Sequence, residues 1–161
     1  MVDAGPWTLT DEASLVECYD QSVREVYRAA SRLTGGDRAR ADDLVQEVYL
    51  GLVRAARLGT QTQVGLGWLL TTVRHRFLDR LRTEGRDDRR LELVWMAPEE
   101  PVDAVDLSGL PERERTVLVL RYLDDLPVAE VASLMGQSVH ATESLLARAR
   151  NRARLQEKPD A

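Results

Sequence analysis

The sequence predicts an all-α chain made of two small helical domains joined by an acidic linker. Three observations carry this. Apolar residues recur at three- and four-residue spacing through most of the chain, while strand-like alternation is absent. Two prolines and several acids interrupt that pattern between Ala97 and Gly109. Beyond the interruption, Leu110–Arg154 breaks into three short helical segments separated by turns. The division is therefore a first domain at 11–90, a linker at 91–107 and a second domain at 108–156.

In the first domain, residues 1–10 read as frayed. Thr10 is placed to cap a helix that opens with Asp11 and Glu12, acids that suit a helix N-terminus. Leu15, Tyr19, Val23, Val26, Tyr27, Ala30 and Leu33 form its apolar stripe up to the Thr34-Gly35-Gly36 stop. Cys18 lies beside Tyr19 and reads as partly buried filler rather than a redox switch. Asp37 caps a second helix with the stripe Leu44, Val45, Val48, Tyr49, Leu52, Val53 and Ala56. Its other face carries Asp43, Gln46, Glu47 and Arg54 around Leu50 and Gly51, a pattern that most often marks a solvated face. Gly51 costs about 1 kcal/mol relative to alanine in a helix interior, which hints at a close approach.

A glycine-rich loop, Leu58–Gly67, leads to a third helix from about Trp68 to Arg82, with Leu66, Leu70, Val73, Phe77 and Leu81 on one side. Trp68, Thr72, His75, Asp79 and Arg82 fall on the opposite side at 100° per residue. An exposed tryptophan among hydrogen-bonding side chains suits stacking on an unpaired base; folding back under the glycine loop explains it equally well. Residues 74–90 hold 7 Arg against 4 acids, a basic island that includes Arg76.

In the second domain, Pro111 suits a first helical position, followed by Val117, Leu118, Leu120 and Tyr122 on the apolar side. A turn over Leu123–Leu126 leads to a short helix opened by Pro127 and ended by Gly136, with Val128, Val131, Ala132 and Leu134 inward. Ser138 caps the last helix, whose stripe is Val139, Thr142, Leu146, Ala149 and Ala153. Helix, glycine-containing turn, then a helix with a basic end is the pattern of a helix-turn-helix, whose second helix fits the major groove. From Arg148 onward there are 5 cations against 2 acids, whereas Leu91–Ala147 holds 3 Arg against 11 acids. That contrast suits phosphate positioning, although arginines at a helix C-terminus also complement the helix dipole.

Composition excludes several classes. A net charge of −5 argues against blanket affinity for nucleic acid and leaves room for a local basic surface aided by a large partner. No apolar run approaches the roughly 20 residues that span a bilayer, and the N-terminus lacks a secretory pattern. A single cysteine among 161 residues forms no internal disulfide, as expected of a cytoplasmic chain. His75 and His140 have no metal-ligand spacing, and no phosphate-binding glycine loop or nucleophile–base pattern occurs. No enzyme activity, metal or cofactor is expected.

Three stretches together resemble the extracytoplasmic-function (ECF) subgroup of bacterial RNA polymerase sigma factors: DDLVQEVYLGLVRA (Asp42–Ala55), WLLTTVRHRFLDRLR (Trp68–Arg82) and LPERERTVLVLRYLDDLPVAEVASLMG (Leu110–Gly136). The likeness runs from about Tyr19 to Arg154. It implies a region-two domain whose Asp43, Gln46, Glu47 and Arg54 dock on core RNA polymerase. It further implies that the glycine loop, with Trp68, Thr72, His75, Arg76, Asp79 and Arg82, grips the melted minus-ten element of promoter DNA and holds a flipped base. A region-four domain would read the minus-thirty-five element through Ser138, His140, Ala141, Ser144 and Arg148. An anti-sigma factor as regulator and a monomer when free are part of the same expectation, and the apolar patch Leu91–Met96 suits such a partner.

Three positions depart from the family pattern. The run Thr-Val-Lys-Ser-Arg-Leu of its recognition helices is matched by Ala141-Thr142-Glu143-Ser144-Leu145-Leu146, which replaces two cations with Glu143 and Leu145. Thr142 puts a hydroxyl where an apolar residue packs, and His75 stands where Asn is common. Two polymerase-based readings follow: a sigma factor that directs initiation, or a sigma-like adaptor with weakened promoter reading. A dimeric helix-turn-helix repressor is the third.

Overall fold

The computed structural model describes residues 5–84 and 107–156. In chain order the elements are β1 (Trp7–Thr8), α1 (Glu12–Thr34), α2 (Arg38–Arg57), β2 (Gln63–Val64), α3 (Leu66–Glu84), α4 (Glu112–Leu118), a π-helical turn (Val119–Leu123), α5 (Val128–Met135) and α6 (Val139–Gln156). Helices dominate, as expected. They form two compact units, one built on α1–α3 and the other on α4–α6. Residues 91–106 of the linker, with the Leu91–Met96 patch, and Arg86, Arg89 and Arg90 of the basic island lie outside the described residues.

The first unit begins with a correction. Residues 5–10 are not frayed: β1 pairs antiparallel with β2, Trp7 opposite Val64 and Thr8 opposite Gln63. Trp7 and Leu9 are buried. The alternation Trp7 in, Thr8 out, Leu9 in has the period of a strand, but three residues are too short a run to stand out from sequence. The cap of α1 is Asp11 rather than Thr10. The Ser14 N–H donates to Asp11 Oδ1 at 2.8 Å, and Ser14 Oγ accepts from the Asp11 N–H at 3.1 Å. This reciprocal exchange has the logic of a capping box. The bond from the Ser14 amide holds the Asp11 carboxyl below its ordinary pKa.

The buried face of α1 runs Cys18, Ser22, Val26, Ala30 at four-residue steps, each fully enclosed. Cys18 is therefore wholly buried, and burial pushes its thiol pKa up. Tyr19, expected inward, lies one residue round the helix and is 45% exposed. Its ring meets Tyr49 edge-on, with centroids 4.8 Å apart. The Ser22 hydroxyl sits 2.7 Å from the Tyr49 hydroxyl, so a polar group in the core is satisfied. Burial pushes the Tyr49 phenol up to about 12.

Asp37 caps α2 as expected, accepting from the Arg40 N–H at 3.1 Å. Ala41, Leu44, Val45, Val48 and Leu52 of α2 are buried, as are Leu69, Val73, Phe77, Leu78 and Leu81 of α3, which packs on it. Leu69, four residues before Val73 and on the same side, is the first core residue of α3, while Leu66 and Leu70 are only half-buried. Burying Phe77 contributes about 2–3 kcal/mol.

In the second unit, Pro111 is the N-cap of α4 rather than its first helical residue. Val117, Leu118, Val119 and Leu120 are buried, but Tyr122 is not: it is 51% exposed. The Asp124 N–H bonds the Val119 carbonyl at 2.9 Å, an i→i+5 step. That wider turn adds about one residue to the helical repeat, which moves Tyr122 out of the Leu118 stripe. Gly136 ends α5 in the left-handed region (φ 65°), as predicted, and the Gln137 N–H returns to the Ala132 carbonyl at 3.0 Å. Ser138 caps α6, its Oγ accepting from the Ala141 N–H at 3.1 Å. The α5 core residues are Val131, Ala132 and Met135; those of α6 are Thr142, Leu145, Leu146 and Ala149. Val139, expected inward, is 45% exposed.

Candidate functional site

Three surfaces carry the residues singled out from sequence. On α2, Asp43, Gln46 and Arg54 are exposed, Glu47 is half-buried, and Leu50 between them is 49% exposed. At 100° per residue they lie within one narrow face opposite the buried stripe, and they extend about 16 Å along the axis. Glu47 is ion-paired with Arg80 of α3. Gly51 explains itself here. A Cβ on it would come within 2.6 Å of the Arg76 guanidinium, so the absent side chain lets Arg76 lie across α2. Arg76 therefore stands against α2, on a different side of α3 from Trp68.

On α3 the expected face is exposed at Trp68 (37%), His75, Asp79 and Arg82. Thr72 is half-buried and turns its hydroxyl to its own helix, donating to the Trp68 carbonyl at 2.8 Å. Asp79 and Arg82 approach each other at 3.6 Å. The loop before α3 is anchored by β2. The Trp68 and Leu69 N–H groups bond the Gly65 carbonyl at 3.1 and 3.2 Å, which fixes the first turn of α3 to the end of β2.

On α6, Ser138, His140, Ala141, Ser144 and Arg148 are all exposed, and the last four share one side of the helix. Thr142 is fully buried, and its hydroxyl is satisfied twice. It donates to the Ser138 carbonyl at 2.9 Å and accepts from Gln137 Nε2 at 3.0 Å. The oxygen of the same Gln137 side chain accepts from Arg113 of α4 at 3.2 Å, so one amide ties the turn to both flanking helices. Leu145 is buried at 6% exposure. It belongs to the core, whereas Glu143 faces solvent.

The arginines at the end of α6 differ from one another. Arg150 Nη1 donates to the Tyr122 hydroxyl at 2.7 Å. Arg152 Nε lies 2.9 Å from Oε2 of Glu114, a buried carboxylate of α4. The approach is an ion pair without hydrogen-bond alignment. Arg148 and Arg154 are exposed. Among the described residues there is no cluster of metal-ligating side chains. No described helix is long and apolar enough to cross a membrane.

Two helical units, the second with a capped turn between a short helix and a longer one that exposes His140, Ala141, Ser144 and Arg148, have the architecture of a helix-turn-helix DNA-binding protein. The Sigma-70 region 2 model matches residues 18–87, and the Sigma-70 region 4 model matches residues 107–152. RNA polymerase sigma factor SigV of Bacillus subtilis is 26% identical over 91% of this chain and 93% of its own length. ECF RNA polymerase sigma factor SigM of the same organism is 29% identical over 84% of this chain and 90% of its own. BldN of Streptomyces coelicolor is 35% identical over 85% of this chain and 58% of its own. In fold, the chain is similar to sigma factor RpoE of Bartonella quintana, solved with the anti-sigma factor NepR (TM-score 0.55, 22% identity, 89% of this chain and 98% of that one). The chain belongs to the sigma-70 family of RNA polymerase sigma factors, in its ECF subgroup, and is an alternative sigma factor that directs transcription initiation.

Proposed function

We propose that the two units divide the work of initiation between the three surfaces. The outer face of α2, with Asp43, Gln46, Glu47 and Arg54, docks on core RNA polymerase. The observation that carries this is the continuity of that face: polar residues surround one exposed leucine and stand clear of the core stripe. Leu50 supplies the apolar centre of the contact, and the surrounding charges form its rim. An anti-sigma factor that covers the same face would block docking. The RpoE chain of Bartonella quintana, solved with NepR, motivates this partner.

The loop and the Trp68 side of α3 hold the melted minus-ten strand. Trp68 offers a face on which an unpaired base stacks, worth about 1–3 kcal/mol. The α6 face with His140, Ala141, Ser144 and Arg148 enters the major groove of the minus-thirty-five element, and Ser138 lies at its N-terminal edge. Arg148 supplies a phosphate contact, whereas Glu143 repels phosphate unless it accepts from a cytosine amino group. The chain acts as a monomer in the cytoplasm and has no catalytic step of its own; the polymerase supplies the chemistry.

Co-purification with bacterial core RNA polymerase tests the docking face. An Asp43→Arg/Gln46→Ala variant leaves the Glu47–Arg80 pair intact, so it changes the surface without disturbing the α2–α3 packing. Native chain should retain polymerase and the variant should lose it. Equal retention by both would move the docking surface elsewhere.

A further inference from the structure

We infer that the N-terminal segment 5–10 is a strap that positions the minus-ten loop, and that Trp7 is its positioning residue. The segment precedes the region 2 match, which begins at residue 18. It nevertheless closes directly on the loop between α2 and α3. β1 pairs with β2 inside that loop, and the Leu9 N–H donates to the Thr62 carbonyl at 2.7 Å. Trp7 and Leu9 point inward, and Val64, opposite Trp7, is 1% exposed. The Trp7 indole N–H donates to Gln21 Oε1 at 3.0 Å, which anchors the strap to α1. Gly5 lies so close that a Cβ there would meet the Trp7 ring at 3.3 Å and the Gly65 backbone at 3.4 Å.

The consequence runs along the chain. Strand register fixes Val64, Val64 fixes Gly65, and the Gly65 carbonyl holds the first turn of α3 through the Trp68 and Leu69 amides. Trp68 is thus placed by a tryptophan 61 residues before it in the chain, through one short ladder. The eight residues between α2 and α3, two of them glycines, would otherwise sample many conformations. A pocket for a flipped base needs a preorganised shell. The strap supplies that order without touching DNA. This inference rests on the minus-ten reading of the loop proposed above.

The test uses holoenzyme made from bacterial core polymerase and the full chain. Native holoenzyme first selects a preferred sequence from duplexes carrying a randomised unpaired bubble. Trp7→Ala should retain polymerase but lose its preference for the selected bubble over a scrambled one by about tenfold, comparable to losing one base–aromatic stack. Trp68→Ala should lose it likewise, and Trp7→Phe, which keeps a buried ring but not the bond to Gln21, should recover part of it. A native chain that selects nothing sinks the minus-ten reading and the strap with it. Selection by native chain, its loss in Trp68→Ala and its survival in Trp7→Ala would overturn the strap alone. Amide exchange on the native chain checks the ladder independently of any variant: the Leu9 amide should be protected, and exchange at the rate of an unstructured peptide would also overturn the strap.

Discussion

Two arginine-rich stretches look alike in sequence, and the structure uses them differently. In α3, Arg76 lies over Gly51 and Arg80 pairs with Glu47, so both cations serve the seam with α2. In α6, Arg150 and Arg152 reach back to Tyr122 and Glu114, while Arg148 stands on the same side as His140 and Ser144. A count of cations therefore overstates the charge available to phosphate in both places. It also hides where the charge is: Arg148 and Arg154 face outward, while Arg150 and Arg152 between them hold the helix to the rest of the unit. Formal charge is legible in sequence, and partnered charge is not.

The largest effect should separate the two roles within α6. Arg152→Ala leaves the buried Glu114 carboxylate without its counter-charge. Unfolding of the variant should cost about 2 kcal/mol less, at the low end for a broken buried pair because Arg152 itself is half-exposed. Arg148→Ala should change stability by less than about 0.5 kcal/mol. It should instead reduce the slope of log affinity for promoter DNA against log salt by about 0.9. Denaturant melts and salt titrations on both variants measure the contrast. If Arg148→Ala destabilises as much as Arg152→Ala, the division between structural and free arginines fails.

The α3 side gives smaller effects. Gly51→Ala should stabilise the first unit by somewhat less than about 1 kcal/mol. The new methyl meets only the mobile end of Arg76, which can swing aside. A destabilised Gly51→Ala would mean that Arg76 is held there firmly. Arg80→Ala should cost about 0.5 kcal/mol, since its pair with Glu47 is partly solvated.

The smallest effect near neutral pH belongs to the Cys18–Tyr49 cluster. Both groups have folded-state pKa values raised by burial. Above about pH 9 the unfolded chain therefore loses protons that the folded chain keeps. The contribution of these two groups should be flat below that point and should fall as the pH rises towards 12. Tyr49→Phe should flatten part of that fall in alkaline melts; an unchanged profile would show that Tyr49 does not contribute.

Most of the fold was legible because its signals are local. Asp37, Gly136 and Ser138 act as caps where their chemistry predicts, and the long stripe of α2 buries as its period requires. Elements set by distant partners were not legible. The strap depends on pairing Trp7 with Val64, and no window of sequence contains both. Tyr122 left its stripe through a π-helical turn, which shifts the repeat without a distinctive residue. Leu145 and Thr142 looked anomalous against the family pattern and are core residues here, one by packing and the other through Gln137. The polar face of α2 was visible as a pattern, but the pairing of Glu47 with Arg80 and the reason for Gly51 needed the neighbouring helix.

The most direct test of the central claim is transcription by core RNA polymerase on fragmented genomic DNA of the source organism, with and without the native chain, followed by sequencing of the transcript 5′ ends. A sigma factor predicts a small set of discrete start sites that appear only when the chain is present. Those sites should share two upstream elements at constant spacing. A start-site profile identical to that of core polymerase alone, from chain that is folded and retained on polymerase, would contradict the account.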